Sequence, residues 1–485
     1  MDEYLQHMPS KPDRISLSAL ENHGSYTNIP YAFFYENVDR SPDFMPTPLL
    51  KESLARALQA FPVLTGVVRL PARGKLHIEI DPQHLNTPRF KESFDEKIAF
   101  QDVRDAGFAW SAWPANLVTV GGGFAAPDPE TGDIVLLHVH VVRLKQNTGV
   151  ALFTNIPHYA VDGYGYFAFL NHWASTMRAM KLSKSQPPPE GDFCHDRSCI
   201  YKYLPKEKTP IDALSQSIYT TSNMFCDTLA LLSPPLLGRL LTKLGSLSSG
   251  KGHLFHVSQG TLEKLRSEVK SHLPAGTVIS ANDVLCAMIM RAYCQSQPLP
   301  EPKAGWFSAA PAPESHFTVR MPCDVRPRLG MTEKFTGNVI LPIFIRQPMD
   351  EVLQPTTPET LARSALHVRE ATNSISPSLV AGFYDTFSQH PTCHMRPLSF
   401  AASHTKTSMI TTSHTRFELY DVDFGSGRPK FACLTPLFAG SYTMAAFLPP
   451  PPGVDGAYVL LTSNVEAMGN IVQNEFWKEN TELLW

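Results

Sequence analysis

The chain has 485 residues, of which 43% are hydrophobic and 18% charged, enough to build two or three domains. Its 42 basic and 45 acidic residues give a net charge of −3, which excludes the basic excess typical of nucleic-acid binding. Residues 1–7 hold two acids and no apolar run, so we expect no secretory signal. The longest apolar region, 228–247, is broken by Pro234 and Pro235, so we expect no membrane span and a cytoplasmic location.

The predicted helices and strands alternate without a regular repeat. The predicted helices cover 47–60, 166–180, parts of 211–247, 260–271 and 280–294, and the predicted strands cover 75–81, 133–144, 149–154, 316–321, 338–345, 415–424 and 458–464. The stretch 184–208 holds three consecutive prolines and is predicted to be a linker. This irregular order favours an α/β or α+β sandwich over a regular doubly wound sheet.

The segment that follows the predicted strand at 149–154 carries most of the chemistry. His158 is followed four residues later by Asp162 and then by Gly163, in a turn that leads into a predicted helix. We expect Gly163 and Gly165 to supply backbone angles that other residues avoid. An unperturbed histidine has a pKa of about 6.5 and is mostly neutral at pH 7, so His158 is a candidate general base.

Metal binding is not favoured by the sequence. Cys194, His195 and Cys199 do not have the spacing of zinc ligands. His138 and His140 share one face of a predicted strand, but no carboxylate or third histidine lies near them in the sequence. We therefore predict no metal site, and we expect the eight cysteines to be reduced and mostly buried.

Segments along nearly the whole chain resemble the BAHD acyltransferases, which use acyl-CoA donors. The matching segments are His158–Gly163 for the family's HxxxDG motif, Asp423-Phe424-Gly425-Ser426-Gly427 for its DFGWG motif, 280–289 for the helix that opens its second domain, Asp324-Val325-Arg326 with Gly337-Asn338 for its DxR…GN segment, and 61–66 for its FPxLxG segment. They occur in the family's order. The triple proline and the long insertions resemble fungal secondary-metabolism members more than plant ones.

The resemblance implies a fold and a division into domains. The fold is the chloramphenicol acetyltransferase-like α/β (α+β) arrangement, with two two-layer sandwich domains and an active-site channel between them. We assign residues 1–200 to the N-terminal domain that carries HxxxDG and residues 201–255 to a linker with crossover helices. Residues 256–485 form the C-terminal domain that carries the DFGxG motif. A monomer is expected.

The resemblance also implies the roles of individual residues. His158 is expected to remove a proton from the acceptor, while acyl-CoA, with acetyl-CoA as the leading candidate, is a co-substrate and no cofactor is permanently bound. Asp162 is expected to turn away from the chemistry and to pair with Arg326. The remaining motif positions, Gly163, Asp423, Phe424, Gly425 and Gly427, are expected to be structural.

Two positions in the second half of the chain qualify this picture. The family often has a channel tryptophan shortly before the DFG aspartate, and this chain has His414 there. His414 is therefore predicted to line a roomier and more polar channel. Thr412 is a candidate hydroxyl donor to the oxyanion of the reaction.

The leading functional hypothesis is an acyl-CoA-dependent O-acyltransferase, acting without metal or nucleic acid on a small-molecule alcohol. The expected acceptor is a fungal secondary metabolite such as a terpenoid or polyketide. One alternative is a condensation-domain-like enzyme with carrier-tethered donors, although such domains usually have a second histidine where this chain has Pro157. Another is a catalytically silent fold-mate that acts as a binding protein. The sequence leaves O- and N-acylation open.

Overall fold

A computed structural model describes residues 13–24, 27–69, 76–82, 89–118, 125–182, 193–220, 232–246, 250–297, 315–332, 334–389, 406–436 and 442–485. The strands are β1 Asp13–Ser16, β2 Asn28–Glu36, β3 Val67–Arg69, β4 His77–Ile80, β5 Arg89–Phe94, β6 Ile134–Val135, β7 His138–Arg143, β8 Gly149–Pro157, β9 Gly250–Val257, β10 His316–Asp324, β11 Ile340–Pro348, β12 Ser408–Ser413, β13 Phe431–Leu434, β14 Met444–Leu448, β15 Ala457–Asn464 and β16 Glu482–Leu483.

The α-helices pack over the sheets that these strands form. They are α1 Ala19–Gly24, α2 Thr47–Ala60, α3 Phe100–Asp105, α4 Gly163–Lys181, α5 Ala213–Thr220, α6 Pro234–Ser246, α7 Gln259–Ser271, α8 Ala281–Ser296, α9 Arg326–Leu329, α10 Met349–Val352, α11 Pro358–Asn373, α12 Pro377–Gln389, α13 Val465–Ile471 and α14 Glu475–Asn480. No helix among the described residues combines the length and apolarity needed to cross a bilayer.

The described strands form three sheets. The five-stranded sheet has the order β13-β2-β8-β7-β5, the four-stranded sheet β1-β4-β3-β6, and the seven-stranded sheet β11-β10-β12-β14-β15-β9-β16. Most neighbours are antiparallel, but β12 runs parallel to both β10 and β14. Helices cover these mixed sheets, which confirms the predicted α/β class.

Two hydrophobic cores lie on either side of the seven-stranded sheet. Side chains alternate along a strand, so Met444 and Ala446 of β14 pack in one core while Ala445 and Phe447 pack in the other. The first core also contains the five-stranded sheet, α2 and α4, and the second contains α8 and α11. One face of this sheet therefore looks toward the first half of the chain.

Each half of the chain contributes to the other. Strand β13, from the second half, pairs antiparallel with β2 and places Phe431 opposite Phe34. Helix α1, from the first half, places Leu20 in the second core. The division into an N-terminal domain, a linker and a C-terminal domain, with boundaries at residues 200 and 255, remains a proposal.

Several predicted elements agree with the structure, and two do not. Helix α2 matches its predicted bounds, and α8 begins after Ser280, whose hydroxyl accepts a hydrogen bond from the Asp283 N–H. The single strand predicted over 133–144 is divided between β6 and β7, which belong to different sheets.

The strand predicted over 415–424 is wrong. A short 3₁₀ turn lies at Leu419–Asp421, and the strand of this region is β12, which precedes it. The carboxylate of Asp423 accepts hydrogen bonds from the N–H groups of Gly425, at 2.7 Å, and Gly427, at 3.1 Å. These local bonds give the backbone an alternative to a sheet ladder.

Candidate active site

His158 stands directly after β8, at the end of a strand whose nine residues are all buried. The strand is apolar on both faces because sheets and helices cover it on both sides. The His158 N–H donates to the carbonyl of Thr27, 2.9 Å away, and the imidazole is half-buried. The end of β8 and its neighbour thus fix the backbone that carries the imidazole.

Burial keeps the His158 imidazole neutral. The pKa of the ring is lowered to about 4, mainly by loss of solvation; the carboxylate of Asp162 acts in the opposite direction, and the positive charge of Arg320 makes a smaller contribution that lowers the pKa. At pH 7 the ring therefore has a free lone pair. This is the protonation state that a general base requires.

Asn338 lies beside one side of the His158 ring. Its amide nitrogen donates to the His158 carbonyl at 3.2 Å and lies 3.5 Å from Nδ1, at the limit of a hydrogen bond. The other ring nitrogen, Nε2, has no hydrogen-bond partner among the described residues. Nε2 is therefore open to a substrate, and it accepts a proton in the neutral tautomer that carries its hydrogen on Nδ1.

The Asp162 carboxylate is bonded to backbone groups and to an arginine, and these contacts hold the turn that carries His158. It caps the N-terminus of α4, where one oxygen accepts from the Gly165 N–H at 3.1 Å, and the other accepts from the Val339 N–H at 3.2 Å. The predicted ion pair with Arg326 is present, with Oδ2 2.7 Å from Nη1. This carboxylate therefore joins the histidine turn to the chain at 339.

Arg326 extends the same junction. Its guanidinium donates to the carbonyls of Phe335, at 2.9 Å, and Gly337, at 2.7 Å, as well as to the Asp324 carboxylate at 3.2 Å. The ring of Tyr164 lies 5.1 Å from the guanidinium carbon. Five donors in one plane let a single arginine hold this whole segment against Asp162.

A second buried ion pair, which the sequence analysis did not predict, also contacts the turn that carries His158. Glu21 and Arg197 are 0% and 2% exposed, and Oε1 lies 3.1 Å from Nε. Arg197 also donates to the carbonyl of Ala160 within the histidine turn, and Glu21 accepts from the Asn338 N–H at 3.0 Å. Residues 193–208 of the predicted linker thus contain a fixed part of the site, while 183–192 lie outside the described residues.

Gly163 and Gly165 are needed for space and not for unusual backbone angles, which corrects the expectation from sequence. Both lie in the first turn of α4 with ordinary helical angles. A Cβ at Gly165 would lie 2.3 Å from the carbonyl oxygen of Thr336, and a Cβ at Gly163 would lie 2.5 Å from the ring of Phe417. The two glycines let the second half of the chain approach the helix closely.

Thr412 and His414 belong to one hydrogen-bonded chain. The Thr412 hydroxyl lies 3.1 Å from His414 Nε2, and His414 Nδ1 is bonded to the hydroxyl of Tyr31. Burial and the nearby His158 lower the pKa of His414 to about 3, so its ring is neutral. Burial raises the pKa of Tyr31, which keeps its hydroxyl protonated.

Tyr31 determines which group donates in each of these hydrogen bonds. Its side chain is fully buried, and among the described residues His414 is the only hydrogen-bond partner of its hydroxyl, which therefore donates to Nδ1. The neutral imidazole then carries its proton on Nε2 and donates it to Thr412 Oγ1. The hydroxyl proton of Thr412 remains free to donate elsewhere.

The loop of Asp423, Phe424, Gly425 and Gly427 lies far from His158. Phe424 is buried against Trp173, with ring centroids 4.8 Å apart, and Arg178 donates to the carbonyl of Asp423. Lys181 donates to the Gly425 carbonyl at 2.9 Å. Trp173 lies in the middle of the 19-residue α4, while Arg178 and Lys181 join the loop to its last turn, about 28 Å from the end that Asp162 caps.

Ser426 stands where the family has tryptophan, and its hydroxyl is hydrogen-bonded. The Ser426 hydroxyl accepts from Lys181 Nζ at 3.1 Å and from the Met45 N–H at 3.3 Å. Gly425 and Gly427 have φ angles of 80° and 98°, which side chains rarely adopt. The loop therefore keeps its glycine-dependent shape with a polar residue in place of an indole.

The histidines considered for metal binding are hydrogen-bonded in other ways. His195 has Thr336 Oγ1 and the Ala60 carbonyl on its two nitrogens, each at 2.7 Å. His140 has Ser93 Oγ and the Leu117 carbonyl, each at 2.8 Å. Within the part of the chain that the structure describes, no group of three or more His, Cys, Asp or Glu residues could hold a metal ion.

Comparisons with known proteins agree with this architecture. The shikimate O-hydroxycinnamoyltransferase of Nicotiana tabacum is 23% identical over 453 residues, 89% of this chain and 87% of that protein. The crystal structure of F. graminearum TRI101 with coenzyme A and T-2 mycotoxin has 16% identity and a TM-score of 0.74, covering 98% of this chain and 100% of that one.

The fold is also shared more widely. The first condensation domain of the calcium-dependent antibiotic synthetase, in complex with a substrate analogue, has 12% identity and a TM-score of 0.53, with 97% of this chain and 98% of that one covered. A family model is more specific, because it matches residues 6–81 and 125–477. The chain therefore belongs to the Transferase family, and it is a BAHD acyltransferase, as the resemblance of its motifs implied.

Proposed function

We propose that the protein is an acyl-CoA-dependent O-acyltransferase in which His158 is the general base. The observation that carries the proposal is a neutral histidine with an unengaged Nε2, held at a strand end by the buried Asp162–Arg326 pair. A base fixed in this way contributes about 10²–10⁴-fold to the rate. The expected arrangement places acceptor and donor on either side of this imidazole.

The reaction is a direct transfer between two bound substrates. Nε2 of His158 takes the proton of the acceptor hydroxyl as its oxygen forms a bond to the thioester carbonyl carbon. The tetrahedral oxyanion then collapses and the carbon–sulfur bond breaks. The CoA thiolate receives the proton from the imidazolium, so the enzyme returns to its starting state.

The hydroxyl of Thr412 is proposed to stabilise the oxyanion. Donation from His414 Nε2 to Thr412 Oγ1 directs the threonine proton away from the histidine. Thr412 lies two residues after Ile410 on β12 and so shares its face of the sheet, and Ile410 packs in the core that also contains Ile156 and Tyr159, on either side of His158 in the sequence. One donor aimed at developing charge is worth about 10²–10³ in rate.

Acetyl-CoA is the proposed donor, and a hydroxyl of a secondary metabolite such as a terpenoid or polyketide is the proposed acceptor. The TRI101 structure supports this choice, since it was solved with coenzyme A and a mycotoxin and shares the fold over nearly the whole chain. His414, where the family often has tryptophan, favours a polar acceptor side. Asp423, Phe424, Gly425 and Gly427 are proposed to act only by holding the fold.

Thiol release from acetyl-CoA and longer acyl-CoAs, measured across a panel of terpenoid and polyketide alcohols, tests the proposal. We expect release that requires both an acceptor and His158, with His158→Ala slower by about 10²–10⁴-fold. His172→Ala, at a half-buried histidine on α4, is the matched control. Release that is equal in wild type and His158→Ala would refute the assigned base. Transfer only from a carrier-tethered donor would favour the condensation-type alternative.

A further inference from the structure

Arg320 is a charged residue in the middle of a largely apolar strand. It lies on β10, opposite Phe344 of β11 and Ile410 of β12, and Ile410 in turn lies opposite Met444 of β14. Paired residues share a face of a sheet, so these four side chains form one row. On one side of Arg320, Ile410 and Met444 pack in the first core, which contains the strand that leads to His158; on the other side, Phe344 packs against the second core.

No carboxylate neutralises this arginine. Its side chain is half-buried, and no Asp or Glu among the described residues lies within 4.0 Å of its guanidinium. The buried Arg197 and Arg326 each have a carboxylate partner within 3.1 Å. The phenol of Tyr219 is near enough to Arg320 for the two groups to interact electrostatically. A neutral phenol leaves the charge uncompensated.

The charge is felt at the proposed reaction centre. The positive charge of Arg320 lowers the pKa of His158, and it also reaches the phenol of Tyr442. The carboxylate that faces His158, Asp162, is already paired with Arg326. A positive potential therefore remains beside the base, and it favours an anionic group bound there.

We propose that Arg320 binds a carboxylate carried by one of the two substrates. The inference rests on the proposed acyl transfer and specifies its substrate class. The planar guanidinium matches a carboxylate through two parallel hydrogen bonds, which an ammonium does not reproduce. Two sources supply this chemistry: a dicarboxylic acyl group on the donor, such as malonyl, or an acid group on the acceptor alcohol.

Binding to the full-length protein separates the donor source from the acceptor source. Calorimetry compares malonyl-CoA with propionyl-CoA, which differ chiefly in a terminal carboxylate and a methyl group. Thiol release from acetyl-CoA compares hydroxy acids with their own methyl esters as acceptors. Each comparison uses wild type, Arg320→Gln, Arg320→Lys and, as a matched control, Arg363→Gln on the exposed face of α11.

We expect wild type to prefer the acid form in one of the two comparisons. Arg320→Gln is expected to reduce that preference about 10- to 100-fold, Arg320→Lys less, and Arg363→Gln not at all. A malonyl preference identifies the donor, and an acid-acceptor preference identifies the acceptor. Equal preferences in wild type and Arg320→Gln, or no preference in wild type, would overturn the assignment. Binding of at least one of the two acyl-CoAs by wild type is the separate check on the proposed function, since absence of binding for both would refute CoA use itself.

Discussion

Asp162 and Arg326 come from opposite halves of the chain and meet as a buried ion pair at the first turn of α4, with Oδ2 2.7 Å from Nη1. They are 0% and 2% exposed, so neither charge has water as an alternative partner. The pair holds the histidine turn from a buried position. Its contribution is therefore expected in stability as well as in rate.

Breaking this pair from one side is predicted to destabilise the protein strongly. Asp162→Asn or Arg326→Gln leaves one buried charge without its partner, and we expect each to lower the free energy of unfolding by about 3–5 kcal/mol. The double variant is expected to lose less than the sum of the two. Urea denaturation measures this, and the exposed pair Arg56–Glu52 provides the control, with an expected loss of about 0.2–1 kcal/mol. Additive single and double losses would contradict the coupling.

The two glycines of α4 are predicted to respond differently to alanine. Gly165→Ala drives a methyl group into the backbone carbonyl of Thr336, so we expect a loss of about 1–3 kcal/mol. Gly163→Ala displaces the ring of Phe417, which lies 5.2 Å from His414. Turnover should therefore fall more than stability.

Melting temperature and kcat of the two variants check this contrast. Gly469→Ala is a suitable control, because nothing lies within 4 Å of its added methyl group in α13. We expect that control to gain about 0.4–1 kcal/mol. A Gly165→Ala protein as stable as wild type would show that the close approach of Thr336 can relax.

The proposed oxyanion donor gives a kinetic prediction. Thr412→Val removes the hydroxyl and keeps the shape, so kcat is expected to fall about 10²–10³-fold with a small change in KM. Thr412→Ser keeps the hydroxyl and should retain most of the rate. Tyr31→Phe removes the group that sets the His414 tautomer, and its effect should lie between the two. Full activity in Thr412→Val would exclude the threonine from the mechanism.

The pH dependence of kcat/KM follows from burial of His158. The base works when neutral, and a pKa of about 4 keeps it neutral throughout the range above pH 5. We therefore expect kcat/KM to rise with pH through about 4 and to stay level from pH 6 to 8. Arg320→Gln removes a positive charge and should move the rise to higher pH. A rise near pH 6.5 in wild type would mean that the working imidazole is solvated.

Sequence patterns predicted helices correctly where apolar periodicity and the residues of the first turn determine the structure. Helices α2 and α8 have apolar periodicity and clear first turns, and the structure has them at the predicted positions. The Asp162–Arg326 pair followed from family resemblance, because two charges far apart in sequence carry no local sign of their contact. The strand predicted over 415–424 was wrong, since the turn chemistry of Asp423 is stronger than the apolar pattern.

The remaining parts of the site depend on long-range contacts. Glu21 meets Arg197, and Tyr31 meets His414, only because the sheets bring remote segments together. Arg320 did leave a signal: an arginine interrupts the apolar strand between Val319 and Met321, where a side chain must face something polar or solvent. Composition alone could not say what it faces.

Strand β13, from the second half of the chain, packs in the first core, and α1, from the first half, packs in the second core. This arrangement limits the order in which the two cores can fold during synthesis. The edge of β2 stays open until residues 431–434 have left the ribosome, and α1 lacks its core until the second half of the chain has been made. His158 is made early, but Asn338 and Arg326, which hold its turn, arrive much later. The first third of the chain therefore emerges with an unpaired strand edge, and the turn that carries His158 gains these contacts only after residue 338 has been made.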